Sequence, residues 1–83
     1  MYIEADGDYI VLHTLNNRYI INLTMRTIED VLGKTNFARI HRSYIVAIKK
    51  IERIVDNKVY IKGKKIPIGT AYRNDFLNSL NIL

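Results

Sequence analysis

Apolar residues in this chain come in short runs, and turn-forming residues close each run before it reaches the length of a self-supporting helix. Tyr9, Val11 and His13 alternate with Ile10, Leu12 and Thr14, and Arg18-Tyr19-Ile20-Ile21 follows Leu15-Asn16-Asn17. This pattern predicts a β-hairpin, with Asn16-Asn17 as a tight turn because asparagine tolerates positive φ. Upstream, Tyr2-Ile3-Glu4 reads as the end of another strand, interrupted by the turn cluster Asp6-Gly7-Asp8. Tyr44 to Ile48 is a continuous apolar run suited to a buried strand. Ile51 to Val55, Lys58 to Ile61 and Lys65 to Ile68 are predicted as a meander of three short strands, joined at Asp56-Asn57 and Gly63-Lys64. In the middle strand Val59 and Ile61 share one face, and Lys58, Tyr60 and Lys62 the other. The lone proline, Pro67, places the last strand at an edge or ends it.

Two segments change period. From Thr24 to Leu32, Met25, Ile28, Val31 and Leu32 recur at three- and four-residue steps, with Thr24 as N-cap and Gly33 as stop. A helix of about two turns is stable only when its apolar face is buried, so it is expected to lie as a lid on the sheet. Tyr72, Phe76, Leu77 and Leu80 predict a short amphipathic helix at the C-terminus. The fold class is therefore mainly β, with one or two short helices.

The 83 residues suit a single domain, residues 1–83, and cysteine is absent, so packing alone must hold it without disulfides or thiolate metal sites. No apolar run is long enough to span a bilayer and no signal-like segment follows Met1, which makes a cytoplasmic protein the expectation. The net charge of +5 is unevenly spread. Through Gly33 there are two bases against five acids; from Lys34 onward there are eleven bases against three acids. Such a field attracts polyanions without separating DNA from RNA or an acidic membrane, and a solvated Lys-rich surface gives the same composition.

Enzyme chemistry finds no support. His41 and Ser43 lie two apart with no strained elbow around the serine, and a chain this small cannot build a deep pocket as well as a core. His13 and His41, far apart and without cysteine, are a poor metal signal, and His13 reads as half-buried packing. The glycines are isolated, so no phosphate loop is present and no cofactor is expected. The informative cluster is Arg39-Ile40-His41-Arg42-Ser43-Tyr44. Guanidinium forks match phosphate oxygens and the guanine edge, and a serine hydroxyl is a common phosphate contact. The alternative is that Arg39 and Arg42 pair with Glu4, Asp6 or Asp8 and that His41 is a packed turn residue.

Three ordered motifs, Tyr2-Ile3-Glu4-Ala5-Asp6-Gly7-Asp8-Tyr9, then Phe37-Ala38-Arg39-Ile40-His41-Arg42-Ser43-Tyr44-Ile45-Val46, then Ile66-Pro67-Ile68-Gly69 with Tyr72, closely resemble the LytTR DNA-binding domain. That family supplies the output domains of LytR/AgrA-type bacterial response regulators. The resemblance implies an elongated, mostly antiparallel β fold that reads double-stranded DNA with loops and not with a recognition helix. The family's three contact loops fall at Asp6 to Tyr9, Arg39 to Ser43 and Gly69 to Arg73. The first and third enter successive major grooves, and the middle lies over the backbone and minor groove between them.

On this alignment Arg42 is the base or minor-groove reader, Arg39 and Ser43 are phosphate contacts, and His41 is a structural partner beside them. Asp8, next to Tyr9, can accept a hydrogen bond from a cytosine amino group, or Asp6 simply closes a turn. Where the family often has basic residues after Ile-Pro-Ile, this chain has Thr70 and Ala71, so Tyr72 and Arg73 are the substitute readers, and Lys65 is a further phosphate contact. Ala47 stands where the family commonly has asparagine. The resemblance also implies a homodimer on paired direct repeats, driven in the family by a separate phosphorylated receiver domain that these residues do not contain. Relative to the family the chain starts late, by about one strand, so an unpaired edge and strand-exchange dimers are expected. No membrane or small-molecule substrate is implied. The competing reading is a small β module that binds RNA by stacking on Tyr9, Tyr60 and Tyr72, or that binds a protein partner.

Overall fold

Alternation of polar and apolar residues turns each short run into a strand, and the computed structural model describes this for residues 1–80. Among those residues the order is β1 (Tyr2–Asp6), β2 (Tyr9–His13), β3 (Arg18–Ile21), α1 (Met25–Leu32), β4 (Phe37–His41), β5 (Tyr44–Ala47), β6 (Arg53–Val55), β7 (Lys58–Ile61), β8 (Lys64–Pro67) and α2 (Thr70–Leu80). A single 3-10 turn, Ile48–Lys50, follows β5. The expected strand through Ile48 therefore ends one residue earlier. The strands form two antiparallel sheets: a five-stranded one in the order β3-β2-β1-β5-β4, and the meander β6-β7-β8. The molecule measures 35 × 25 × 21 Å, in keeping with the elongated shape expected.

The period-two rule explains why one sheet has two different neighbours. Adjacent residues on β5 point to opposite faces. Ile45 packs with Ile3 beneath Met25 and Ile28 of α1, which lies as a lid on that face. Val46 packs on the other face with Ile40, with Val59, Ile61 and Ile66 of the meander, and with Phe76 of α2. Burying each such isoleucine contributes about 1.5–3 kcal/mol, and together these substitute for the missing disulfides. Thr24 caps α1 by accepting the Thr27 N–H at 3.1 Å. Val31 does not join the core as its spacing predicts: it is 75% exposed, because the lid covers the sheet with only one turn-face of a two-turn helix.

Two predicted turns differ in detail. The β2–β3 connection is a loop over residues 14–17, closed by Thr14: its N–H donates to Asn17 O at 2.8 Å, and its hydroxyl accepts the Asn17 N–H at 3.2 Å. Neither Asn16 nor Asn17 takes positive φ; that conformation belongs to Asp56 (51°) and Asn57 (63°), the pair joining β6 to β7. The turn after β7 is Lys62-Gly63, one residue before the predicted position, with Lys62 at φ 47°. Consecutive positive φ values give a primed turn whose twist matches the strands. Pro67 ends β8, an edge strand of the meander, as expected. At the other end of the molecule β3 is an edge strand with Tyr19 and Ile20 exposed.

Candidate nucleic-acid interface

Register brings the three motif segments to one rim. Asp6 pairs with Tyr9, so the first hairpin turns on Gly7 and Asp8 alone, with Gly7 at φ 61°. Glu4 pairs with Tyr44, and the Ala5 N–H donates to Ser43 O at 2.8 Å. The first hairpin and the β4–β5 turn are therefore neighbours at the same end of the sheet. The middle segment is tighter than the predicted loop: Arg39 to His41 belong to β4, with a register shift between Arg39 and His41, and only Arg42 and Ser43 form the turn. The Ser43 N–H donates to His41 Nδ1 at 3.0 Å, which makes His41 the side-chain brace of that turn.

The third segment is not a loop either, since Thr70, Tyr72 and Arg73 sit on the first turns of α2. It joins the rim through the Gly69 N–H, which donates to Ile40 O at 2.7 Å. A Cβ on Gly69 would lie 3.3 Å from the Tyr72 ring and 3.5 Å from His41 Cα, so glycine permits the close approach of this segment to β4. Beyond it lies a component that sequence reading did not assign to the site. Asn57 donates from its side-chain amide to Ile68 O at 3.1 Å and accepts from Arg73 Nε at 3.0 Å. The only sequence signal was a turn dipeptide between two β runs; its link to Arg73 is a long-range contact that no local pattern encodes.

The rim runs in the order first hairpin, middle turn, start of α2, β6–β7 turn. Asp8, Tyr9, Arg42, Thr70 and Arg73 are exposed along it, while His41, Ser43 and Tyr72 are half-buried. Lys65 is exposed but lies off the rim, on the outer face of the meander opposite Tyr60 and behind Pro67. Arg39 is drawn inward: its side chain is 17% exposed and its partner is Glu29 of α1, at 3.3 Å, not Glu4, Asp6 or Asp8.

Glu4 has its own partners behind the rim. It accepts from the Tyr44 hydroxyl at 3.0 Å and lies 3.0 Å from His13 Nε2, whose ring stacks on Tyr2 at 4.4 Å. His13 is thus packed as predicted. Burial, then the hydrogen bond to Glu4 and the charge of that carboxylate, push the Tyr44 phenol up to about 12. Burial and Glu4 also raise Tyr2. Among the described residues no group of His, Cys, Asp and Glu is arranged to hold a metal ion, and no helix is long and apolar enough to cross a membrane.

Comparison with known proteins gives the same motifs a family. The LytTr DNA-binding domain matches residues 1–81. The transcriptional regulatory protein LytR of Staphylococcus aureus (strain N315) is 33% identical over 78 residues, covering 87% of this chain. The sensory transduction protein LytT of Bacillus subtilis is 26% identical over 88 residues, covering 99% of this chain. The chain spans only 32% and 36% of those two relatives. Among solved structures, the LytTr DNA-binding domain of a Bacillus cereus response regulator superposes with a TM-score of 0.89 at 24% identity, covering 99% of this chain and 81% of that one, which shows a common fold. The match to residues 1–81 takes in all three motif segments of the rim, and the chain belongs to the LytTR family of DNA-binding domains.

Proposed function

We propose that the chain reads double-stranded DNA sequence-specifically through this rim, as the output module of a bacterial transcription regulator. The observation that carries the reading is the continuity of the rim: backbone bonds Ala5–Ser43 and Ile40–Gly69 hold the three segments next to one another, with exposed Arg42 between the hairpin and α2. The longest dimension of the molecule, 35 Å, is comparable to one duplex turn of about 34–36 Å. Arg42 is the base or minor-groove reader, and Ser43 a phosphate contact beside it. Asp8 and Tyr9 serve one major groove, and Thr70, Tyr72 and Arg73 the next. Lys65 and the other lysines of the meander supply the field, and binding is as a homodimer on paired direct repeats.

The RNA reading needs free aromatic platforms. Arg53 covers Tyr60, 4.3 Å from its ring centroid, and Arg39 lies 5.4 Å from that of Tyr72, which leaves Tyr9 as the exposed one of the three. Selection of bound sites from a randomised duplex pool tests the proposal: paired direct repeats are the expected product. Unlabelled duplex is expected to displace the selected probe far better than single-stranded RNA, and the reverse order would favour the RNA reading.

A further inference from the structure

Arg39 spends its guanidinium inside the protein. Nη2 donates to Arg42 O at 2.7 Å, Nε to His41 O at 3.4 Å and Nη1 to Glu29 Oε1 at 3.3 Å, while the planar head lies 5.4 Å from the Tyr72 ring centroid. One side chain thereby joins α1, the bulged end of β4, the Arg42–Ser43 turn and the first turns of α2. Two successive carbonyls, of His41 at the end of β4 and of Arg42 in the turn, converge on this cation, a fork geometry that a lysine ammonium cannot reproduce. Glu29 balances the charge at a site only partly open to water; its side chain is 33% exposed. Its own backbone carbonyl accepts the Gly33 N–H at 3.0 Å, which fixes the end of α1 from which the carboxylate reaches across.

We propose that Arg39 is a positioning residue and Glu29 its anchor: together they hold the Arg42 turn and the Tyr72 turn in one frame, so that base discrimination depends on a carboxylate that touches no DNA. This rests on the proposed DNA-reading function and deepens it. A phosphate contact and a positioning residue make opposite predictions. A phosphate contact acts alike on all sequences and contributes about one unit of salt slope, whereas a frame acts on the ratio between a selected duplex and a scrambled one. For Glu29 even the sign differs. Removing an acid near a polyanion strengthens binding through the field, so weaker selected-site binding in Glu29→Gln requires the frame.

The test measures wild type, Glu29→Gln, Arg39→Gln and Arg39→Lys on selected and scrambled duplexes across a salt series. Glu29→Gln is expected to lower the selected-to-scrambled ratio roughly threefold to tenfold without weakening scrambled binding, and Arg39→Gln to lower it by about tenfold or more with the salt slope unchanged, within the range that one base reader controls. Arg39→Lys, which keeps the charge, is expected to resemble Arg39→Gln. An unchanged ratio in Glu29→Gln, or a slope lowered by about one in Arg39→Gln with the ratio intact, overturns the proposal. A wild type that does not distinguish the two duplexes overturns the DNA-reading function itself. Amide spectra of the free protein give a readout independent of DNA: Glu29→Gln is expected to shift the amides of Arg42, Ser43 and Tyr72, and unmoved amides there overturn the frame.

Discussion

The two halves of the rim are built differently. The Asp6–Tyr9 hairpin is held by strand pairing alone; Asp6, Asp8 and Tyr9 are exposed, and the hydrogen bonds of the rim leave their side chains out. The half from Arg39 to Arg73 is wired by side chains: Arg39 to the turn carbonyls, His41 to Ser43, Asn57 to Ile68 and Arg73. The wired half also carries the exposed guanidinium groups, Arg42 and Arg73. An arginine discriminates between bases only if its backbone is already in place, since ordering it at the moment of binding consumes the energy of the contact. The hairpin, short and acidic, has less to hold. Pre-organisation thus follows the groups assigned the reading.

This contrast can be broken by mutation. Asn57→Ala is expected to cost about 2–3 kcal/mol in urea unfolding, because alanine is strained at positive φ and the two side-chain bonds, to Ile68 O and from Arg73 Nε, are lost, whereas Asn57→Gly loses the same two bonds without the strain and costs about 1 kcal/mol. Equal costs would mean that the positive φ at Asn57 imposes no strain on alanine, and an Asn57→Gly cost near zero would mean that the side-chain wiring to Ile68 and Arg73 contributes nothing. Lys65→Ala, off the rim, is expected to weaken binding to every duplex alike and to lower the salt slope by about one, and a sequence-dependent loss would move Lys65 into the reading surface.

At the seam between the halves, Tyr44 donates to Glu4 with its phenol held up to about 12, against 10 for a free tyrosine. A group whose folded value is raised stabilises below its unfolded value and loses that contribution as pH rises through the folded one. Stability should therefore fall between about pH 10 and pH 12, and Tyr44→Phe should flatten that fall in a pH series of thermal unfolding. The smallest effect is expected in the unwired half: Asp8→Ala should change stability by no more than about 0.5 kcal/mol.

Strands, helices and family were legible because each is a local or ordered pattern. Alternation gave β7 to the residue, Thr24 and Gly33 bracketed α1, and the motif spacing led to the family. What sequence reading placed wrongly depends on tertiary contact. Asn16-Asn17 has the composition of a positive-φ turn, yet the Thr14 hydroxyl closes that loop in another way, and Asp56-Asn57 takes the conformation instead. The Arg39–Ser43 segment reads as a loop because its polar residues conceal a strand whose Ile40 is buried. Glu29 could not be paired with Arg39 beforehand, since helix α1 meets β4 only through the packing of its lid on the sheet.

In the proposed function Arg42, held at the middle of the rim, reads the duplex. Titration of Arg42→Ala against the selected duplex and a scrambled one measures this directly. The expected result is a loss of roughly 1–3 kcal/mol on the selected site, with a smaller loss on the scrambled one. Unchanged affinity for the selected site would contradict the assignment.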